Sequence, residues 1–421
     1  MKILQCHNLY QMPGGEDRVV EDERQLLEDR GHQVITYTLH NDDVAQLSKP
    51  RLAAGTIWSR RSAAQLADLV RRHRPDIAHF HNTLPLMSPA AYSAVRKLGV
   101  PVVQTLHNYR LLCPKATFFR DGKICEDCLD KSFKWPAIRH ACYREDRAAS
   151  ATIAVMLSVH GQVGTYRRAV DAYIACSEFT REKMIQGGYP GQKIHYKPNF
   201  VPHDPGVGGG RGGYPLYLGR LSPEKGIDVL TGAWDRLAQT HQNHPETPLH
   251  IVGQGPDESA IEQLQQRQPQ VHHETWVSEP RLGQVLGDAG FLVLPTMNYE
   301  GFPKVIVEAY AHGLPVVATD VGAMSHVVQD GVTGRRFPYG DAEALARIVA
   351  ELLADPEQLA RLRRGARAAY EQHYTADANY RRLMQIYRQA REVFDRSAAS
   401  TTSPSPDREV SSREPAQTLS I

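Results

Sequence analysis

The feature that most constrains this chain is an alternation that runs twice. Short runs rich in Val and Ile lie at Lys2–Cys6, Gln33–Leu39, Asp76–His81, Pro101–His107 and Ala172–Ser177. Between them apolar residues recur at helical spacing, as with Val19, Val20, Leu26 and Leu27 among Glu, Asp and Arg, and Gly31 then supplies a helix stop. Strand–helix–strand order at this spacing requires a parallel sheet covered by helices. The pattern pauses at Val201–Gly213, which holds two Pro and six Gly and reads as a linker. It restarts with strands at Leu216–Leu218, Leu249–Val252, Phe291–Pro295 and Pro315–Thr319 and helices at Ala342–Leu353 and Pro356–His373. The expected fold class is α/β, with two Rossmann-like doubly wound domains facing a central cleft. Ligands in such sheets sit outside the carboxyl ends of the strands.

The expected boundaries are a first domain at 1–200 with an insertion at 111–147, a linker at 201–213, a second domain at 214–375, a helix at 376–396 and a Ser/Thr/Pro-rich, disordered tail at 397–421. The 421 residues suit two to three domains, and no apolar run approaches the roughly 18 residues that span a bilayer. The N-terminus turns polar too soon for a signal peptide, so a cytoplasmic location is expected. Residues 1–197 hold 28 Lys and Arg against 20 Asp and Glu, and the remainder holds 21 against 27. The basic half suits an anionic lipid or membrane surface, here the inner face of the plasma membrane, or an ordinary solvated surface. Nucleic acid is not expected, since no recognition helix or aromatic RNA-binding signature accompanies the charge.

Four segments carry chemistry. In Asn298-Tyr299-Glu300-Gly301-Phe302-Pro303-Lys304-Val305-Ile306-Val307-Glu308, two carboxylates stand eight apart across a strand–loop–helix junction. Pro303 suits a first helical turn, and free amides near residues 302–304 suit a phosphate. Carboxylates accept from vicinal hydroxyls of a sugar; the plain alternative is a solvated loop Glu and a helix-face Glu. In Gly219-Arg220-Leu221-Ser222-Pro223-Glu224-Lys225-Gly226, Arg220 and Lys225 stand after the first strand beyond the linker, and both can reach a diphosphate. Gly253-Gln254-Gly255 ends a strand but lacks the third Gly of a dinucleotide fingerprint. Gly14 and Gly15, in the first loop of the first sheet, permit close backbone approach to a ligand.

Taken together, these segments resemble the GT-B glycosyltransferases of family 4, retaining enzymes that use nucleotide sugars. The resemblance covers roughly residues 1–390, and the strongest match runs from Glu300 through Glu308 to Thr319, with Gly322 and Gly331-Val332-Thr333-Gly334 beyond. It implies that Arg220 and Lys225 bind the donor diphosphate and that Glu308 accepts from the ribose hydroxyls. Glu300 would contact the sugar beside the anomeric carbon, and the backbone at Gly301, Phe302, Pro303 and Lys304 would approach the sugar and distal phosphate. Gly253 would belong to the donor site, and Gly14 and Gly15 would form a loop over the diphosphate, with Glu16 or Asp17 as the acidic residue after it. His107, at a strand end, would face the donor sugar; His81 ends a neighbouring strand. The C-terminal helix would return to the first domain through Tyr380, Leu383, Met384, Ile386 and Tyr387. The implied reaction moves a sugar from a nucleoside-diphosphate donor to a glycan or lipid-linked acceptor. No Asp-x-Asp occurs, so a metal-independent reaction without a required cofactor is expected. Two alternatives are a catalytically inactive nucleotide-sugar-binding module on the same fold and a phosphorylase using pyridoxal phosphate, for which no segment identifies a Schiff-base Lys.

Cys113, Cys125, Cys128 and Cys142 fall in the spacing C-x11-C-x2-C-x13-C inside the insertion. The pattern suits a structural zinc site, with free thiols or disulfides as alternatives. The insertion also interleaves Lys131, Phe133, Lys134, Trp135, Arg139 and Arg144, a mix suited to a membrane interface, a lipid diphosphate or a packed surface subdomain.

Overall fold

The computed structural model describes residues 1–11, 14–240 and 247–402. The first unit carries strands β1 (Lys2–Leu9), β2 (Gln33–His40), β3 (Ile77–Phe80), β4 (Val102–Leu106), the two-residue pair β5 (Phe119–Arg120) and β6 (Lys123–Ile124), β7 (Ala172–Ala175) and β8 (Ile194–Tyr196). Six of them form one parallel sheet in the order β2-β1-β3-β4-β7-β8. The second unit carries β9 (Pro215–Leu218), β10 (Leu249–Val252), β11 (Val271–Glu274), β12 (Phe291–Leu294), β13 (Val316–Thr319) and β14 (Gly334–Phe337). These form a second parallel sheet in the order β11-β10-β9-β12-β13-β14. The central strands β3, β4, β7, β10, β12 and β13 are buried along their whole length, as parallel strands covered on both faces must be. The order reverses between β1 and β3 in one sheet and between β9 and β12 in the other. Crevices open at these switch points, and the segments after β1, β3, β9 and β12 carry Gly14, His81, Arg220, Lys225 and Glu300, while His107 follows β4 and Gly253 follows β10.

Each expected strand is present within a few residues. β1 runs three residues further than expected, to Leu9, because His7 and Asn8 are buried and continue the ladder with β2. β8, β11 and β14 were not expected. Polar side chains fill their sequences, His195 in β8, His272, His273 and Glu274 in β11, Arg335 and Arg336 in β14, and outer strands tolerate this because one side meets solvent.

The C-terminal helix Ala376–Thr402 closes the first sheet. Leu383, Ile386, Tyr387 and Ala390 pack in one cluster with Ile3, Leu27, Ile77, Val103, Ala172 and Ile174, while Tyr380 and Met384 flank it. Tyr387 is fully buried, and its hydroxyl lies 2.8 Å from His79 Nδ1. A disordered tail from Ser397 is corrected for residues 397–402, which continue the helix. Ser397 Oγ bonds the Phe394 carbonyl at 2.7 Å and accepts from Arg96, whose guanidinium also holds the buried Asp171 at 3.0 Å. Residues 403–421 lie outside the described residues. Lys134 is corrected as well. It is buried rather than part of a basic surface, and its ammonium donates to the carbonyls of Cys128 at 2.8 Å and Lys131 at 2.6 Å. No helix among the described residues is long and apolar enough to cross a membrane.

The cluster around Tyr387 sets a stability test. Tyr387→Ala should cost about 3–5 kcal/mol, as for other buried aromatic truncations. Tyr387→Phe keeps the ring and removes only the hydroxyl's bond to His79 Nδ1, which still faces Glu23 at 2.9 Å, so it should cost about 0.5–1.5 kcal/mol. Denaturant midpoints of the two variants should rank in that order.

Candidate functional site

The Arg220–Gly226 segment and the Glu300 loop are built against each other. Gly226 has φ +74°, and a Cβ there would lie 1.8 Å from the Pro295 carbonyl oxygen, so only glycine fits this turn. The Glu224 carbonyl accepts from Met297 N–H at 2.9 Å and Thr296 Oγ1 at 3.2 Å. This places the Lys225 ammonium on the Glu300 carboxylate, as a direct ion pair. Thr296 Oγ1 lies 3.1 Å from the same oxygen of Glu300 and 2.9 Å from Asn298 Oδ1. Arg220 on the same segment is exposed and, among the described residues, makes no side-chain hydrogen bond or ion pair. Gly253 stands beside this segment, packed against the Gly219 carbonyl.

Pro303 caps the helix Lys304–Ala311 in an extended conformation. It has no N–H, so any amide for an anion there belongs to its neighbours. Lys304 pairs with Asp22 of the first unit and lies 3.7 Å from Glu308 one turn on. The Phe302 side chain is buried in the core of the second unit.

Three consecutive backbone carbonyls of the Glu300 loop are gripped by side chains of the first unit. Tyr109 Oη donates to Glu300 O at 3.1 Å, Thr180 Oγ1 to Gly301 O at 3.4 Å, and Asn199 Nδ2 to Phe302 O at 2.9 Å. Gly301 faces the His107 carbonyl so closely that a Cβ would lie 2.6 Å from its oxygen. The carboxyl ends of the two sheets therefore meet at one place, with His107 and Glu300 on opposite sides.

His107 is the outer member of a buried polar chain. Its Nε2 lies 3.0 Å from His81 Nδ1; His81 Nε2 faces Glu23 at 3.5 Å. Glu23 is 1% exposed and also meets His79 at 2.9 Å and the Lys197 ammonium at 2.9 Å. Burial pushes the Glu23 carboxyl up, but Lys197 and the two His bonds outweigh it and hold it well below the usual range. If His81 carries its proton on Nε2, toward the Glu23 carboxylate, its Nδ1 accepts and His107 donates from Nε2. His107 Nδ1 then carries a lone pair. Among the described residues, Glu23, His79 and His81 are the one set of three potential metal ligands within 4.8 Å. Lys197 already fills the cation's place there, and both His79 nitrogens are bonded, to Tyr387 and to Thr105 at 2.7 Å.

Gly14 is the N-cap of the helix Gly15–Asp29, so Gly15 is helical rather than part of a loop. Asp17 closes the cap on the Gly14 N–H at 2.9 Å and meets His7 at 2.7 Å. Glu16 is the acid turned toward the strand ends, bonded by Tyr10 at 2.8 Å and Asn108 at 2.7 Å. With His81, His107 and Arg110 it lines a cavity of about 40 Å³. A wider surface cleft of about 520 Å³ beside β10 and β11 is lined by none of the residues singled out in the sequence.

Tyr109, Thr180, Asn199, Thr296, Glu23 and Lys197 were not identified from the sequence. Asn199 and Thr180 each follow a first-sheet strand within a few residues, the position where ligand-side groups gather, and that was the available signal. Glu23 stands three or four positions from Val19, Val20, Leu26 and Leu27, on the apolar face of its helix.

The histidines make the fold pH-dependent. Burial lowers both His81 and His107 from 6.5 to about 3. Between those values the unfolded chain takes up protons that the folded chain refuses. Stability therefore falls as pH drops from about 6.5 toward 3, by at most about 1.4 kcal/mol per pH unit for each ring, and is flat for these rings above about 7. Denaturant midpoints between pH 7.5 and 5 should show this slope, and His107→Gln should make it shallower.

Residues 214–355 match the family described as Glycosyl transferases group 1, and residues 13–205 match Glycosyltransferase Family 4. The chain is 28% identical over 323 residues to a glycogen synthase of Mycobacterium tuberculosis, covering 74% of this chain and 67% of that protein. It is 31% identical over 185 residues to a phosphatidyl-myo-inositol mannosyltransferase of Mycolicibacterium smegmatis, covering 42% of this chain and 46% of that one. The sucrose-phosphate synthase of Thermosynechococcus elongatus has a TM-score of 0.68 at 18% identity, covering 92% of this chain and 98% of that one. HepE of Anabaena, solved with UDP-glucose, has a TM-score of 0.60 at 20% identity, covering 94% and 100%. The shared architecture is the GT-B fold.

Proposed function

Because the chain belongs to the group 1, family 4 glycosyltransferases, we propose that it moves a sugar from a nucleoside-diphosphate donor to a glycan or lipid-linked acceptor, with retention of anomeric configuration and without a catalytic metal. The observation that carries this reading is the Lys225–Glu300 pair at the β9/β12 switch point, with the free Arg220 on the same segment and His107 opposite. Donor use is supported by the UDP-glucose bound to a protein of this fold. A lipid-linked acceptor is supported by the mannosyltransferase relative, whose acceptor is a phosphatidyl-inositol. Exposed Trp58, Phe133 and Trp135 beside exposed Lys131 and Arg139 support a peripheral contact of the first unit with an anionic membrane face.

The chemistry follows from the charges. A diphosphate entering at Arg220 draws the Lys225 ammonium from Glu300 and frees that carboxylate for sugar hydroxyls. As the bond to the anomeric carbon breaks, negative charge grows on the leaving phosphate, where Arg220 and Lys225 stabilise it. The acceptor hydroxyl attacks from the same face and passes its proton to the departing phosphate. His107, neutral at pH 7, offers its Nδ1 lone pair to a sugar hydroxyl. Glu308, one turn inside the helix and paired with Lys304, accepts from the ribose.

Arg220→Ala and Lys225→Ala should each lower turnover about 10²–10³-fold, as loss of one such stabiliser does, while circular dichroism stays native. Near-wild-type turnover in both would sink the clamp. Glu308→Ala should instead weaken binding of free nucleoside diphosphate in calorimetry more than it lowers kcat. Gly301→Ala forces a methyl against the His107 carbonyl and should lower turnover by about 10²-fold through misplacement. Release of free sugar from a nucleotide-sugar panel without acceptor separates this enzyme from an inactive binding module.

A further inference from the structure

We propose that Tyr299 is a positioning residue for the reaction: its ring seats in an aromatic socket on the first unit, and this seating holds Glu300 across the cleft from His107. Tyr299 stands in the loop after β12 of the second unit, yet its side chain packs against the apolar core cluster of the first unit. Among the described residues it is the one member of that cluster that comes from beyond the linker. Three rings of the first unit surround it, with centroids at 4.7 Å for Phe179, 5.8 Å for Phe118 and 6.4 Å for Tyr109. All three meet it edge to face, at 65°, 66° and 67°, the arrangement that aromatic quadrupoles favour.

The socket is closed on two further sides. Lys183 holds its ammonium 5.4 Å from the Tyr299 ring centroid, within cation–π range, and is fixed there by Glu126 at 2.7 Å. From its own unit the ring is backed by Gly322, where a Cβ would lie 3.2 Å from Tyr299 Cδ1. The walls come from separate parts of the first unit. Tyr109 follows β4, Phe118 precedes β5 in the insertion, and Phe179 and Lys183 lie on the helix Glu178–Gln186. Tyr109 and Phe118 are fully buried, so the floor of the socket is close-packed core.

This contact reaches Glu300 by two routes. Tyr299 and Glu300 share a peptide bond, and the Glu300 carbonyl accepts from the hydroxyl of the same Tyr109 whose ring meets Tyr299. The ring also resists opening in a way that the hydrogen bonds of the seam do not. When the two units part, water replaces the partner of each carbonyl, so each bond adds only modestly to closure. A half-buried ring has no such substitute, because parting exposes apolar surface on it and on Phe179. Arg220, Lys225 and Glu308 all lie within the second unit, so a nucleotide can bind without the seating. The transfer step needs His107 as well, and therefore needs the ring in its socket.

The seating stands on contacts alone, whereas its effect on turnover rests on the glycosyltransferase reading above. The test uses the full chain and the variants Tyr299→Ala, Tyr299→Phe and Phe179→Ala. In small-angle X-ray scattering without ligand, Tyr299→Ala should have a larger radius of gyration than the wild type, and Tyr299→Phe the same one. Unchanged scattering in Tyr299→Ala would overturn the seating. With the nucleotide sugar that the wild type hydrolyses, Tyr299→Ala should lower kcat by more than about tenfold. Its calorimetric affinity for the nucleoside diphosphate released, whether UDP, GDP or ADP, should stay within about threefold of wild type. Tyr299→Phe should keep wild-type kcat, and Tyr299→Ala combined with Phe179→Ala should fall no further than Tyr299→Ala alone. A loss in Tyr299→Phe as large as in Tyr299→Ala, losses that multiply in the double variant, or collapse of nucleotide affinity would overturn the proposal. Wild-type kcat in Tyr299→Ala despite an enlarged radius would overturn the positioning role and leave the seating standing. If Tyr299→Ala fails to fold, Phe179→Ala removes the facing ring and carries both readouts. A wild type that hydrolyses no nucleotide sugar would instead refute the functional reading, and scattering would still decide the seating.

Discussion

The structure turns on the grip that the first unit takes on three consecutive carbonyls, those of Glu300, Gly301 and Phe302. Tyr109, Thr180 and Asn199 come from three separate places in the first unit, yet their donors arrive within one short stretch of the second. Each such bond is worth about 1 kcal/mol net, so no single one fixes the two sheets. Together with Lys304 on Asp22 and the close approach of Gly301 to His107, they hold the carboxyl ends of both sheets to a common seam. A group-transfer reaction that needs cations from one unit and a histidine from the other depends on that seam.

Behind the seam lies a second constraint, the burial of Glu23. A carboxylate that is 1% exposed is tolerable only with its charge matched, and the partners come from distant parts of the chain. Lys197 follows β8, His79 lies in β3, and His81 follows it. Tyr387 of the C-terminal helix touches His79, so that helix closes over the polar chain as well as the apolar core. Removing Lys197 alone would leave an uncompensated buried charge, a loss of about 3–5 kcal/mol in comparable cases. The orientation of His107 thus depends on residues that never approach a substrate.

Much of this was legible in the sequence because burial on both faces forces central parallel strands to be apolar. Phe291–Leu294 and Val316–Thr319 could hardly be anything else. The outer strands β8, β11 and β14 were not legible, since His195, His272 and Arg335 carry no apolar periodicity. At the site, Arg220, Lys225 and Glu300 stand in loops after strand ends, where the sequence marks a ligand-facing position, whereas the roles expected for them and for Glu308 came from the family resemblance. The partners that position them could not. Thr180 and Asn199 act through backbone atoms of residues more than a hundred positions away, and nothing local marks that. The break at Ser397 was misread because composition announces a tail, while the Arg96–Asp171 pair beside it lets the helix continue.

The grip on residues 300–302 falls on main-chain oxygens, and a carbonyl is the same whatever side chain it carries. Position 300 can therefore change identity without losing these carbonyl contacts, so long as position 301 stays glycine. On the second unit's side, this part of the docking is written in main-chain oxygens, whereas the choice of substrate is written in the groups that project from them. A scaffold of this kind can diversify what it recognises while keeping its mechanical assembly constant.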